Sequence, residues 1–272
     1  MKNAQHAIIT GGSSGIGKAI ALQLAQQGVN VSIISRDRTR LQLARTEIEA
    51  ARKTDTQKVV VVAGDVSDRA QAERAIQTAI EQLGPPNLLI TSAGIARPGR
   101  FQELPIEAFE QAIATNYFGT LYCIRAALPA MEQQSAAHIC LVSSGAALVG
   151  LYGYSAYGPS KFAVRGLAES LRAELRPLNI GVSIVYPPDT DTPQLVEESK
   201  TKPAATKEIT ATAKTWKADD VAQVILKGIE QNQFEISPGI EIKVLTRLHS
   251  LIAPLLNRYF DRIIEKYSHK QQ

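Results

Sequence analysis

Ala7-Ile8-Ile9-Thr10-Gly11-Gly12-Ser13-Ser14-Gly15-Ile16-Gly17 is a short β-branched apolar run that turns through glycines into a segment with helical spacing, Ala19 to Gln27. Glycines permit a tight turn and close backbone approach, and the helix start presents free N–H groups and a positive dipole to a pyrophosphate. A plain strand–helix turn is the alternative reading of this stretch. Working outward, the same alternation recurs. Apolar runs at Val29 to Ile34, Val59 to Val62, Leu88 to Ile90, His138 to Val142 and Val182 to Val185 are separated by longer segments such as Ala70 to Leu83. Strands that are apolar throughout and joined by helices predict an α/β fold, a doubly wound parallel sheet covered on both faces. No repeat or low-complexity linker divides the chain, so one domain is expected over residues 1–240, followed by a tail over 241–272.

Composition excludes several classes. Among 272 residues, 30 lysines and arginines face 26 acids, a net charge of +4. Six of those bases and three of the acids lie beyond Ile240, so the tail alone carries +3, unlike the even basic surface of a nucleic-acid binder. Two cysteines, Cys123 and Cys140, rule out a disulfide scaffold and read as buried small hydrophobes. Four scattered histidines (His6, His138, His249, His269) argue against a metal site, and His138 reads as structural. No secretory signal is expected at the start of the chain. Residues 133–160 lack any charged side chain over 28 positions, but five serines, four glycines and a proline make this a buried strand entering a site rather than a membrane span.

The second strand ends in Ser35-Arg36-Asp37-Arg38-Thr39-Arg40. An acid at the strand tip would bind a ribose 2′-hydroxyl; here Ser35 holds the tip, and Arg36 and Arg40 suit a 2′-phosphate. The pattern predicts NADP(H), against the alternative of a solvated basic helix start. Asp37 stands one position late for the ribose role.

Tyr157 and Lys161 are four apart and share a helical face. A nearby ammonium is expected to lower the tyrosine pKa from about 10 and make the phenol a usable acid/base. Ser144 follows the strand ending at Ser143, where its hydroxyl can hold a carbonyl oxygen. Tyr154 has Gly158 in place of a lysine four residues on, so Tyr152 and Tyr154 read as pocket lining.

Together, Thr10 to Gly17, Asp65-Val66, Asn116, Ser144 and Tyr157-Gly-Pro-Ser-Lys161 resemble the short-chain dehydrogenase/reductase family over nearly the whole chain. The resemblance implies a Rossmann-type fold in which Ser144 orients a carbonyl and Tyr157 donates a proton. It implies that Lys161 holds the ribose, Asn116 anchors a relay water and Asp65 sits by the adenine. The cofactor contacts it implies are Gly11, Ser13, Ser14, Gly15, Ile16, Gly17, Arg36, Arg40, Asp65, Val66, Ala93, Gly94, Tyr157, Lys161, Pro187, Thr190 and Thr192. Ser92 departs from the family's usual Asn before Ala93-Gly94. A homo-oligomer is expected by resemblance only.

Tyr186-Pro-Pro-Asp-Thr-Asp-Thr-Pro193, Thr201-Lys-Pro203, Gly150 to Tyr157 and Phe162 to Glu169 resemble the 3-ketosphinganine reductases within that family. These reduce a long-chain amino ketone with NADPH to dihydrosphingosine. Residues 187–217 lack sustained periodicity and read as a substrate lid or mobile loop. Within it, Asp189 or Asp191 is expected to help receive the ammonium, and Glu197 and Glu198 to be solvated. The rival functions are reduction of another lipid or small ketone, and a catalytically silent nucleotide-binding regulator.

In the tail, Leu248, Leu251, Ile252, Leu255, Leu256, Tyr259, Phe260, Ile263, Ile264 and Tyr267 recur at steps of three and four, with Arg247, Arg258, Arg262 and Lys266 between them. This amphipathic pattern fits packing on the domain, a subunit contact or peripheral membrane contact through 247–267. Pro254 is expected to start or kink a helix. The expected location is cytoplasmic, with or without contact to a membrane surface.

Overall fold

The computed structural model describes residues 5–211 and 214–268; the end of the predicted tail, with His269 and Lys270, lies outside the described residues. The chain runs β1 (His6–Thr10), α1 (Gly15–Gln26), β2 (Asn30–Ser35), α2 (Arg38–Ala50), β3 (Val59–Ala63), α3 (Arg69–Leu83), β4 (Leu88–Thr91) and α4 (Ile106–Ala112). It continues through a π-helical turn (Ile113–Phe118), α5 (Gly119–Met131), β5 (Ala137–Val142), α6 (Tyr157–Glu174) and β6 (Ile180–Val185). The last part comprises β7 (Thr190–Asp191), α7 (Pro193–Thr201), α8 (Ala204–Thr210), β8 (Trp216–Lys217), α9 (Ala218–Glu230), β9 (Glu235–Ile236) and α10 (Ile240–Ser268).

Seven parallel strands form one sheet in the order β3-β2-β1-β4-β5-β6-β9. Alternation along each strand splits the core in two. Ile9 and Ile33 pack with Ile20, Leu24, Ile48 and Ile225 from α1, α2 and α9. Ile8 and Ile34 pack with Ile76, Ile124 and Val164 from α3, α5 and α6. The strand order reverses between β1 and β4, which opens a crevice at the carboxyl ends of the strands. The doubly wound parallel sheet expected of the sequence is therefore present.

Two expectations change. Residues 187–217 hold two short helices and the β7–β8 pair rather than an irregular loop. Thr192 caps α7 by accepting from Leu195 N–H at 3.3 Å, and Pro193 and Pro203 preset each helix start. Helices of nine and seven residues are too short to show a period in sequence. Pro254 lies inside α10, a helix of 29 residues, and so does not start it.

Two histidines serve the sheet. His138 Nε2 meets Ser183 Oγ at 2.7 Å across β5 and β6, and His6 Nε2 meets Ser32 Oγ at 2.8 Å across β1 and β2. Burial lowers both pKa values to about 4, so both are neutral at pH 7. Cys123 and Cys140 are buried, and burial pushes the Cys123 thiol up to about 12.

Candidate active site

A cleft of about 870 Å³ follows the crevice from α1 to α10. At one end the α1 N-terminus faces it. Asp37 and Asp68 cap α2 and α3 through Arg40 N–H and Gln71 N–H, but the Ser14 side chain does not cap α1. The first-turn amides are thus left to a ligand. Gly15 has φ +54°, and a Cβ there would crowd the Thr192 side chain at 3.0 Å, so glycine lets the turn approach the lid closely. Ser13 Oγ donates to Ser35 Oγ at 2.9 Å, which ties the glycine turn to the uncharged β2 tip. Arg36 and Arg40 flank the tip with exposed guanidinium groups, held at 3.5 Å from Asp65 and 3.2 Å from Asp37. Asp37 is therefore a helix cap and an arginine partner. Burial pushes the Asp65 carboxyl up, but hydrogen bonds from Ser67 and the Arg36 charge outweigh it and hold the pKa below the ordinary value. An uncapped helix start, a neutral tip and two guanidiniums fit a dinucleotide with a 2′-phosphate.

The middle of the cleft brings Ser144, Tyr157 and Lys161 together, with Asn116 beside Lys161. Tyr157 is the first residue of α6 and Lys161 lies one turn on, with Nζ 5.7 Å from the Tyr157 ring centre. Ser143 Oγ donates to Lys161 O at 3.0 Å, fixing the end of β5 against α6. Ser144 Oγ accepts from Ala146 N–H at 3.1 Å, and its hydroxyl also hydrogen-bonds Tyr157, which keeps the two groups on one point of the cleft. Asn116 sits in the π-helical turn, a distortion frequent at functional sites. Its Oδ1 accepts from Ile95 N–H at 2.8 Å and its Nδ2 donates to Ile95 O at 3.0 Å and Ser160 Oγ at 2.8 Å. Asn116 thus clamps the loop after β4 beside Lys161.

The charge state differs from the sequence expectation. Burial, then the Glu198 charge, raises the Tyr157 pKa, while the hydrogen bond with Ser144 opposes them. Lys161 is not among the groups that shift Tyr157, and burial lowers its own pKa to about 8. Its Nζ donates to Val142 O at 3.0 Å. The phenol is consequently held protonated, ready to give a proton to a substrate.

Beyond Tyr157 the lid and α10 wall the cleft. Pro187, Thr190 and Thr192 line it near Gly15. Gly145 N–H donates to Pro187 O at 3.2 Å, and Thr190 Oγ1 donates to Pro188 O at 2.8 Å. Val66, Ala93, Gly94, Gly11 and Ile16 also line it. Gly17 alone of the predicted contacts does not: a Cβ there would lie 2.5 Å from Gly11 O, so it serves close packing of the turn.

One reading of the lid changes. Glu198, expected to be solvated, is 8% exposed and accepts from Tyr154 OH and Gln194 Nε2, each at 2.9 Å. Asp189 is engaged by Lys202 Nζ at 3.4 Å, and Asp191 is exposed. Tyr154 lines the cleft as expected, with its ring 5.6 Å from that of Tyr157. The only sequence signal for Glu198 is its spacing of four from Gln194, which a surface helix shares. Ile252, Leu256 and Phe260 of α10 line the far end, and Lys266 and Tyr267 bind Glu208 of α8 at 2.8 and 2.7 Å. Part of the tail therefore packs on the lid. No cluster able to hold a metal ion occurs among the described residues.

Residues 5–203 match the family described as short chain dehydrogenase, and the chain belongs to that family of oxidoreductases. It is similar to a 3-dehydrosphinganine reductase of Danio rerio, 41% identical over 93% of this chain and 76% of that protein. A 3-ketodihydrosphingosine reductase of Mus musculus is 42% identical over 92% and 76%. Among solved structures, a short chain dehydrogenase/reductase from Burkholderia phymatum in complex with NAD superposes with a TM-score of 0.81 at 26% identity, covering 92% of this chain and 94% of that one.

Proposed function

We propose that this chain reduces the ketone of a long-chain amino ketone, 3-ketosphinganine, to dihydrosphingosine with NADPH. The observation that carries the proposal is one continuous cleft. It runs from the uncapped α1 start and the two arginines, past Ser144, Tyr157 and Lys161, to an apolar end on α10. The names of the relatives in fish and mouse support the substrate.

NADPH, when bound, supplies hydride to the ketone carbon. Ser144, which hydrogen-bonds Tyr157, turns its hydroxyl proton to the carbonyl oxygen and so fixes the ketone. Tyr157, kept protonated by burial, gives its proton to that oxygen as negative charge develops. Lys161 holds the ribose and places positive charge beside the phenolate that remains, and Asn116 keeps the neighbouring loop in register. Arg36 and Arg40 bind the 2′-phosphate, and the α1 amides the pyrophosphate.

We include in the proposal a peripheral, cytoplasmic membrane contact through 247–267. No helix among the described residues is long and apolar enough to cross a membrane. Leu251 and Leu255 face outward at 76% and 65% exposure beside basic residues, while the opposite face of α10 lines the cleft. A homo-oligomer is also proposed, supported by the exposed Phe118 and Phe162 rings near α5 and α6. The test of the substrate is NADPH oxidation with 3-ketosphinganine against a panel of neutral ketones. Preference for the amino ketone supports the proposal, and no preference moves the enzyme to a different carbonyl.

A further inference from the structure

We propose that Glu198 receives the ammonium group of the substrate and so selects amino ketones over neutral ketones. The inference rests on the substrate reading above and names the specificity residue of that site. In an α-amino ketone the nitrogen is one carbon from the reacting carbonyl, so its receptor must lie beside Ser144 and Tyr157. Glu198 meets that condition. Its Oε2 accepts from Tyr154 OH, and the Tyr154 ring is 5.6 Å from the Tyr157 ring.

Each oxygen of Glu198 is occupied once, by Tyr154 or by Gln194, and no lysine or arginine forms an ion pair with it among the described residues. A carboxylate accepts about four hydrogen bonds, so acceptor capacity remains for an ammonium with three donors. Lys161 feels the Glu198 carboxylate through space but does not pair with it directly, so an ammonium in contact would supply the direct partner.

The other carboxylates on the cleft are less suited. Asp37 and Asp65 are paired with arginines at the β2 tip, Asp189 is held by Lys202, and Glu197 is exposed and paired with Lys200 at 2.6 Å. Glu241 is exposed on α10. Lys202, whose Nζ lies 5.7 Å from the Tyr154 ring centre, donates to Asp189 and Thr210 rather than to Glu198.

The test is Glu198→Gln, which keeps an acceptor for Tyr154 and removes the charge. Steady-state rates are measured with 3-ketosphinganine and with the same chain lacking the amine. The expected result is a fall of about tenfold to 100-fold in kcat/KM for the amino ketone, carried by KM, as for a lost charge-assisted hydrogen bond. The neutral ketone, which feels Glu198 only through the charge states of Tyr157 and Lys161, should lose much less than the amino ketone, and its continued turnover shows an intact fold. Equal losses on both ketones, or none on either, overturn the inference. A long-chain amine and the matching alcohol, titrated into wild type and variant by calorimetry, give a readout independent of turnover. Loss of amine binding alone supports the inference, and equal binding of the amine by both proteins overturns it. If wild type ignores the amino ketone, the substrate reading fails and takes this inference with it.

Discussion

Replacing Lys161 by Met should stabilise the cofactor-free protein while ending catalysis. Lys161 is 5% exposed, and burial lowers its pKa from 10.5 to about 8. At pH 7, below both values, holding the ammonium in the folded site costs about 3 kcal/mol. Methionine keeps most of the stem volume without the charge. It leaves Val142 O without its donor, which returns about 1 kcal/mol of that gain. The net expectation is a gain of about 2 kcal/mol at pH 7, read from urea unfolding at fixed m-value. The sign follows from proton linkage. Between pH 8 and 10.5 the unfolded chain holds a proton that the folded Lys161 has lost, so wild-type stability rises with pH there. The variant has no such rise, and its advantage should shrink over that window. A variant no more stable than wild type at pH 7, or an advantage independent of pH up to 10.5, would refute the reasoning.

Other consequences are more direct. Removing both guanidiniums, Arg36→Ala with Arg40→Ala, should lower kcat/KM for NADPH by about tenfold to 100-fold and leave NADH nearly unchanged, in a paired cofactor titration. Tyr157→Phe should cut kcat by a factor on the order of 100 to 10,000 with NADPH binding retained, by fluorescence titration. Gly94→Ala places a Cβ 3.1 Å from Asn116 Oδ1 and 3.4 Å from Lys161 Nζ. It should displace the lysine and raise KM for NADPH, at a stability cost of about 1–3 kcal/mol in thermal unfolding.

What was legible in the sequence was whatever repeats a simple period or sits next to its partner in the chain. Ile8 and Ile9 alternate toward two cores, and the strand–glycine–helix order fixes the α1 end of the cleft. Tyr157 and Lys161 share a helical face because they are one turn apart. Their charge states were not legible, because burial and a carboxylate 41 residues from Tyr157 set them. Glu198 illustrates the limit. Sequence shows an acid in a polar stretch, but only the packing of α7 against Tyr154 makes it buried. The tail divides along the same line. Its stripe is plain in sequence, yet which side chains face the cleft depends on where α8 sits.

The central claim is that this cleft delivers hydride to the 3-keto carbon of a long-chain amino ketone while Tyr157 protonates its oxygen. Its most direct test uses NADPH deuterated at the transferred position, 3-ketosphinganine and the purified protein, with mass spectrometry of the lipid product. Wild type should yield dihydrosphingosine with one deuterium at carbon 3, and Tyr157→Phe should form none at a comparable rate. Unreacted 3-ketosphinganine in the presence of an enzyme that reduces other ketones, or full activity of Tyr157→Phe, would contradict it.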